Sequence, residues 1–112
     1  MPRGQRVILP ARKAKFDLLI TMARYQPGTG RLMFAKGFEP VGQVWSDILL
    51  LGRVELINRL NEGQQFVNGE KENLANNFEP RDEIRLVETN GDQIIVAGER
   101  KAERDDLGVP LF

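Results

Sequence analysis

Apolar and polar positions alternate most regularly near the end of the chain. Glu83-Ile84-Arg85-Leu86-Val87-Glu88 and Gln93-Ile94-Ile95-Val96-Ala97 flank Thr89-Asn90-Gly91-Asp92. Alternation, β-branched residues and a central Asn-Gly together predict a β-hairpin with a tight turn. Earlier, Ala11 to Tyr25 carries two patterns. Its Ala, Lys and Leu content suits a helix, while Phe16, Leu18, Ile20 and Met22 alternate as on a strand with one buried face. Gln26-Pro27-Gly28-Thr29-Gly30 is a turn cluster, and Arg31-Leu32-Met33-Phe34-Ala35 reads as a strand behind it. Two runs around such a loop make a second hairpin the simpler expectation.

The middle of the chain supplies much of the predicted core. Ser46 precedes the run Asp47 to Leu60, and Gly63 follows. A Ser cap, an Asp in the first turn, an Arg near the end and a Gly beyond predict a Leu-rich helix over 46–61. The same stretch also reads as two strands bent at Gly52. Val7-Ile8-Leu9 and Val41 to Trp45 suit short strands, and Gln64 to Val67 suits a strand entering a tight turn at Asn68-Gly69. Residues 70–82 look polar and turn-rich, and 98–106 charged and solvated.

The expected fold is α+β, a small antiparallel sheet of about five strands packed on one Leu-rich helix. The alternative is an all-β barrel, SH3-like or OB-like. The expected organisation is a basic arm over 1–15, a single globular domain over 16–98 and a charged tail over 99–112.

Composition narrows the function classes. With 112 residues and 41% apolar content, the chain suits one domain that folds without staples. It has no cysteine, which excludes disulfides and thiolate chemistry and leans toward a cytoplasmic location. It has no histidine, so the commonest general base and metal ligand are missing. An enzyme is the least favoured class, and no cofactor or metal is expected. No apolar run is long enough to span a membrane. The net charge of zero conceals a split. Residues 1–38 hold eight basic side chains and one acid, a net of +7, and residues 39–112 carry −7. Such asymmetry suggests an anionic partner or pairing between copies.

The candidate contacts follow from that split. Arg3, Arg6, Arg12, Lys13 and Lys15 fall within fifteen residues free of acids, a pattern able to follow nucleic-acid phosphates. The same residues would equally serve as a solubilising tail or pair with the acidic remainder. At the other end Val109, Leu111 and Phe112 are apolar and would dock on the domain or on a neighbour. Pro27-Gly28-Thr29-Gly30 lacks the further residues of a phosphate loop and reads as a turn. The acids show no ligand spacing and are expected on a solvated face, and Trp45 in or at the rim of the core.

The stretch Asp82 to Glu88 followed by Asn90 to Lys101 resembles, in pattern, the second and third strands of the α-crystallin domain of small heat-shock proteins. It covers about a fifth of the chain. Charged amphipathic hairpins share most of this pattern, so the resemblance implies the hairpin and nothing more. The expected function is a non-enzymatic interaction module, with nucleic acid as one partner class. The alternative is an adaptor or assembly protein that binds a protein partner or itself through opposed charges and the apolar C-terminal residues.

Overall fold

The computed structural model describes residues 14–71, 78–99 and 102–112. Its elements are β1 (Leu18–Tyr25), β2 (Leu32–Phe38), β3 (Pro40–Val41), β4 (Val44–Trp45), β5 (Leu49–Gly52), α1 (Arg53–Asn61), β6 (Phe66–Lys71), β7 (Phe78–Thr89) and β8 (Asp92–Ala97). One six-stranded sheet has the order β5-β2-β1-β6-β7-β8, and β3 and β4 form a small ribbon of their own. The fold is mostly β with one helix, which fits α+β and all-β descriptions alike.

Both predicted hairpins form. β1 pairs with β2, and β7 with β8 in a register that sets Thr89 opposite Asp92. Asn90 and Gly91 both have positive φ, at 50° and 79°. That conformation is what a two-residue turn matching the strand twist demands, and Asn-Gly supplies it at low steric cost.

Three expectations are corrected. The sheet is mixed, because β1 runs parallel to β6 through Leu18↔Phe66, Leu19↔Val67 and Ile20↔Asn68. The predicted helix over 46–61 is shorter. Leu49–Gly52 pairs with β2, and the helix starts only at Arg53 with Gly52 as its cap. Ser46 does not cap it: its hydroxyl accepts the Glu39 N–H at 2.9 Å and donates to the Asp47 carbonyl at 2.8 Å, closing the β3–β4 ribbon. Finally, Asn68-Gly69 is not a turn. β6 runs straight through it with a register shift against β7, and the paired strand begins at Phe78, inside the stretch expected to be turn-rich.

Asn68 explains the last point. Its side chain is buried, its Nδ2 donates to the Leu107 carbonyl at 2.9 Å, and its Oδ1 accepts the Asp82 N–H at 2.7 Å. An amide spent on tertiary bonds cannot stabilise a local turn. Gly69 is needed for a different reason. A Cβ there would collide with the Glu79 carbonyl oxygen, so glycine permits the close approach of β6 and β7.

The main core lies on the face that α1 covers. Leu18, Ile20, Ala23, Ala35, Leu51, Leu56, Phe66, Ile84 and Ile95 all belong to it. Leu56 is the buried residue of α1, with Ile57 and Leu60 half-buried beside it. A smaller cluster on the opposite face joins Leu19, Phe38 and Phe78 with Phe16, Trp45 and Val67.

The C-terminal residues complete the frame. Asp106 pairs with β8 through Ala97 N–H to Asp106 O (2.9 Å) and Asp106 N–H to Ile95 O (2.8 Å). Pro110 and Phe112 then bond Ala23 of β1, where Leu111 makes a parallel bridge. Residues 106–112 thus link β8 back to β1 and turn β1-β6-β7-β8 into an incomplete ring. β2 and β5 continue the sheet beyond β1, and α1 packs over the core face.

Candidate interaction surface

The clip that holds this extension in place is Asp105, which was expected on a solvated face and is buried instead. Only 1% of its side chain is exposed. Oδ2 accepts the Leu32 N–H at 2.6 Å and Arg53 Nε at 2.8 Å. Oδ1 accepts the Ile95 N–H at 3.0 Å, with an Arg53 terminal nitrogen at 3.3 Å. Arg53 also donates to the Gln93 carbonyl. Burial alone would push the Asp105 carboxyl upward. The bonds from Arg53, Leu32 and Ile95, with the Arg53 charge, outweigh that and hold it below its ordinary value. A carboxylate engaged by this many donors fixes β2, β8 and α1 to one another. It is a fastening, not a free acid for catalysis.

The strand order turns the charge split of the sequence into a spatial one. Lys15, Arg24, Arg31 and Lys36 lie on or beside β1 and β2. Glu79, Asp82, Glu83, Glu88 and Asp92 lie on β7 and β8 toward the other edge. One exposed bridge between the halves, Arg31–Asp92 at 3.4 Å, joins the β1–β2 loop to the start of β8.

The predicted contact residues fall in separate places. Arg3, Arg6, Arg12 and Lys13 lie outside the described residues. Lys15 is exposed just before β1. Val109 is half-buried against the main core, and Leu111 is 68% exposed. Phe112 is partly buried on β1 and β2, its ring centroid 4.8 Å from the Arg24 guanidinium carbon and 4.3 Å from Lys36 Nζ. Arg24 Nε also donates to the Phe112 carbonyl at 2.8 Å. Phe112 therefore spends its aromatic face on two cations of its own chain.

The apolar surface that sequence reasoning missed is on β2 and β5. Eight large apolar residues are exposed among the described residues, and seven of them lie between Met33 and Val54. Met33 and Phe34 are on β2, Val41 and Val44 on the β3–β4 ribbon, Ile48 and Leu50 at β5, and Val54 in the first turn of α1. Phe34 and Lys36 pair with Gly52 and Leu50, so Phe34, Lys36 and Leu50 share one face of the sheet. Val44 and Ile48 also line an open cleft of about 610 Å³, floored by Phe38, Trp45 and Phe78 with Lys71 and Asp47 at its walls. Trp45 stacks on Phe16 at 6.0 Å and meets Phe78 edge-on at 4.6 Å. Its indole Nε1 is buried with no hydrogen-bond partner among the described residues. The Leu-rich run gave no sign of its share of this surface, because a helix there would have turned Leu50 and Val54 inward.

No helix among the described residues is long and apolar enough to cross a membrane. No protein-family model matches the chain, and no similar curated protein or solved structure is found.

Proposed function

We propose that this protein is a non-enzymatic interaction module whose docking surface is the β2–β5 end of the sheet, and that its partner is a protein. The observation that carries this reading is the concentration of exposed apolar side chains between Met33 and Val54. Monomeric proteins expose isolated apolar residues routinely, whereas a concentration of this kind in one stretch of the fold supports an association surface. Lys36 and Arg24 fringe it with positive charge, a polar rim of the kind that fixes orientation.

The test is photo-crosslinking from position 50 in cells, with Leu50→p-benzoylphenylalanine, against the same label at Glu88 on the acidic side. Protein adducts from position 50, absent from position 88, are expected. No adduct from position 50 refutes the reading.

A second reading is favoured by the basic end itself. Lys15, Arg24 and Lys36 lie beside β1 and β2, to which the segment holding Arg3, Arg6, Arg12 and Lys13 is attached. Binding of labelled single- and double-stranded oligonucleotides across a salt series tests it, with residues 1–15 deleted for comparison. Five arm contacts to duplex phosphates give a log–log slope of about −4 to −5 that flattens in the deletion. No binding at low salt removes this reading.

A further inference from the structure

The two edges of the sheet are treated differently by the chain. The β8 edge is occupied, since Ala97 and Ile95 exchange backbone bonds with Asp106. Among the described residues, the β5 edge is the free end of the strand order. Soluble proteins usually guard such an edge with Lys, Pro or a bulge, because its unpaired N–H and C=O groups template another strand. Residues 48–52 of this chain, Ile-Leu-Leu-Leu-Gly, hold no charge and no proline.

We propose that β5 pairs antiparallel with β5 of a second copy about a twofold axis at Leu50, joining two six-stranded sheets into one. The inference rests on the docking-surface reading above and names its partner. Three observations select a second copy. First, the register is self-complementary. Leu50, 58% exposed, meets Leu50, and Gly52 comes opposite Ile48 of the second copy. The space beside Gly52 is open, so Ile48 of the second copy can lie over it against Phe34, which pairs with Gly52 on the same face. Second, the charges agree. Asp47 is exposed and has no ion-pair partner among the described residues. The same register carries it toward the start of the other copy's α1, where Gly52 offers no side-chain cap to the first N–H groups and Arg53 is already held by Asp105. A carboxylate there meets the positive end of the helix. Third, the pairing closes on itself. A twofold uses each β5 edge once, and at the opposite edge of the sheet Asp106 already occupies Ile95 and Ala97 of β8.

Sedimentation or light scattering on the full chain tests this. The expected mass is twice the 12.7 kDa of the chain. Leu50→Arg is expected to weaken the dimer by about a hundredfold or more, as loss of a central interface anchor does. Leu111→Arg, comparably exposed but beside Ala23 of β1, two strands in from the β5 edge, is expected to leave the dimer intact. Circular dichroism establishes that each variant is folded. A dimer that survives Leu50→Arg is built on another surface and overturns the proposal. A monomeric wild-type chain that still crosslinks a different protein through position 50 overturns self-pairing and leaves the docking surface standing. A monomer that crosslinks nothing overturns both.

Discussion

Replacing Asp105 with Asn should destabilise the protein by about 3–5 kcal/mol, the range for breaking one side of a buried ion pair. The two carboxylate oxygens accept the Leu32 and Ile95 N–H groups and two nitrogens of Arg53. An amide keeps one acceptor and turns the other into a donor, which then faces an N–H whichever way it is placed. Either orientation leaves one backbone N–H without an acceptor. It also leaves Arg53, whose side chain is 14% exposed, with an uncompensated charge. Each charged hydrogen bond is worth about 1.5–3 kcal/mol, and the lost bonds overlap with the lost pair rather than adding to it. Against a total stability of about 5–15 kcal/mol this is a large fraction. The melting temperature should fall by about 10–20 °C. Urea unfolding followed through the sole tryptophan, Trp45, measures the change, and the exposed Glu103→Gln should cost under about 0.5 kcal/mol.

The acid limb provides a second readout. The native pKa of Asp105 is depressed, so its contribution is fully present above the ordinary aspartate pKa and is lost as pH falls through the lower native value. The stability gap between wild type and Asp105→Asn should be constant above about pH 5 and narrow below it. A loss under about 1 kcal/mol, or a gap that stays constant into acid, would refute the clip described above.

Asn68→Ala should cost about 1–3 kcal/mol, because it strands the Asp82 N–H and the buried Leu107 carbonyl; chemical unfolding measures it. Phe112→Ala should cost about 1–2 kcal/mol by loss of its cation–π contacts and apolar packing, and amide exchange at Ala23 should rise as the C-terminal segment loosens from β1. Self-association through β5 should change little between low and physiological salt, whereas association through the opposed charge blocks should weaken steeply; sedimentation at two ionic strengths separates them.

What the sequence displayed was local. The β7–β8 hairpin was legible because Asn90-Gly91 and the flanking alternation act within a dozen residues. The β1–β2 hairpin was legible because its glycine-rich turn interrupts two apolar runs. The parallel pairing of Leu18 with Phe66 was not, since nothing in either strand names a partner so distant in the chain. Leu49-Leu50-Leu51 satisfies helical and strand periods at once, and the exposed edge of β2 settled the choice in favour of a strand. Asp105 sits in a run of charges that reads as solvated, and only the convergence of Leu32, Arg53 and Ile95 distinguishes it from Asp106. For the site, the opposed charges were visible in composition. The exposed apolar group was not, because an apolar residue on an edge strand looks in sequence like one in the core.

Pairing through β5 brings two basic ends together, which raises the question of whether charge forbids it. The two Lys36 residues would be separated by three strand spacings, Lys36 to Leu50, Leu50 to Leu50, and Leu50 to Lys36. At about 4.8 Å each that is about 14 Å. The screening length at physiological salt is about 8 Å, so most of this repulsion is lost to counterions. The Asp47 contacts toward each helix start act in the opposite sense at shorter range. The chain as a whole is neutral, so no net repulsion holds copies apart. The dimer would place the acidic β7–β8 ends outermost and set Arg24 and Lys36 of both copies in one central strip. Protein pairing and anion binding therefore need not compete for the sheet. The apolar edge would be consumed in assembly, while the exposed Arg24 and the half-buried Lys36, each against Phe112 of its own copy, would stay outside the pairing.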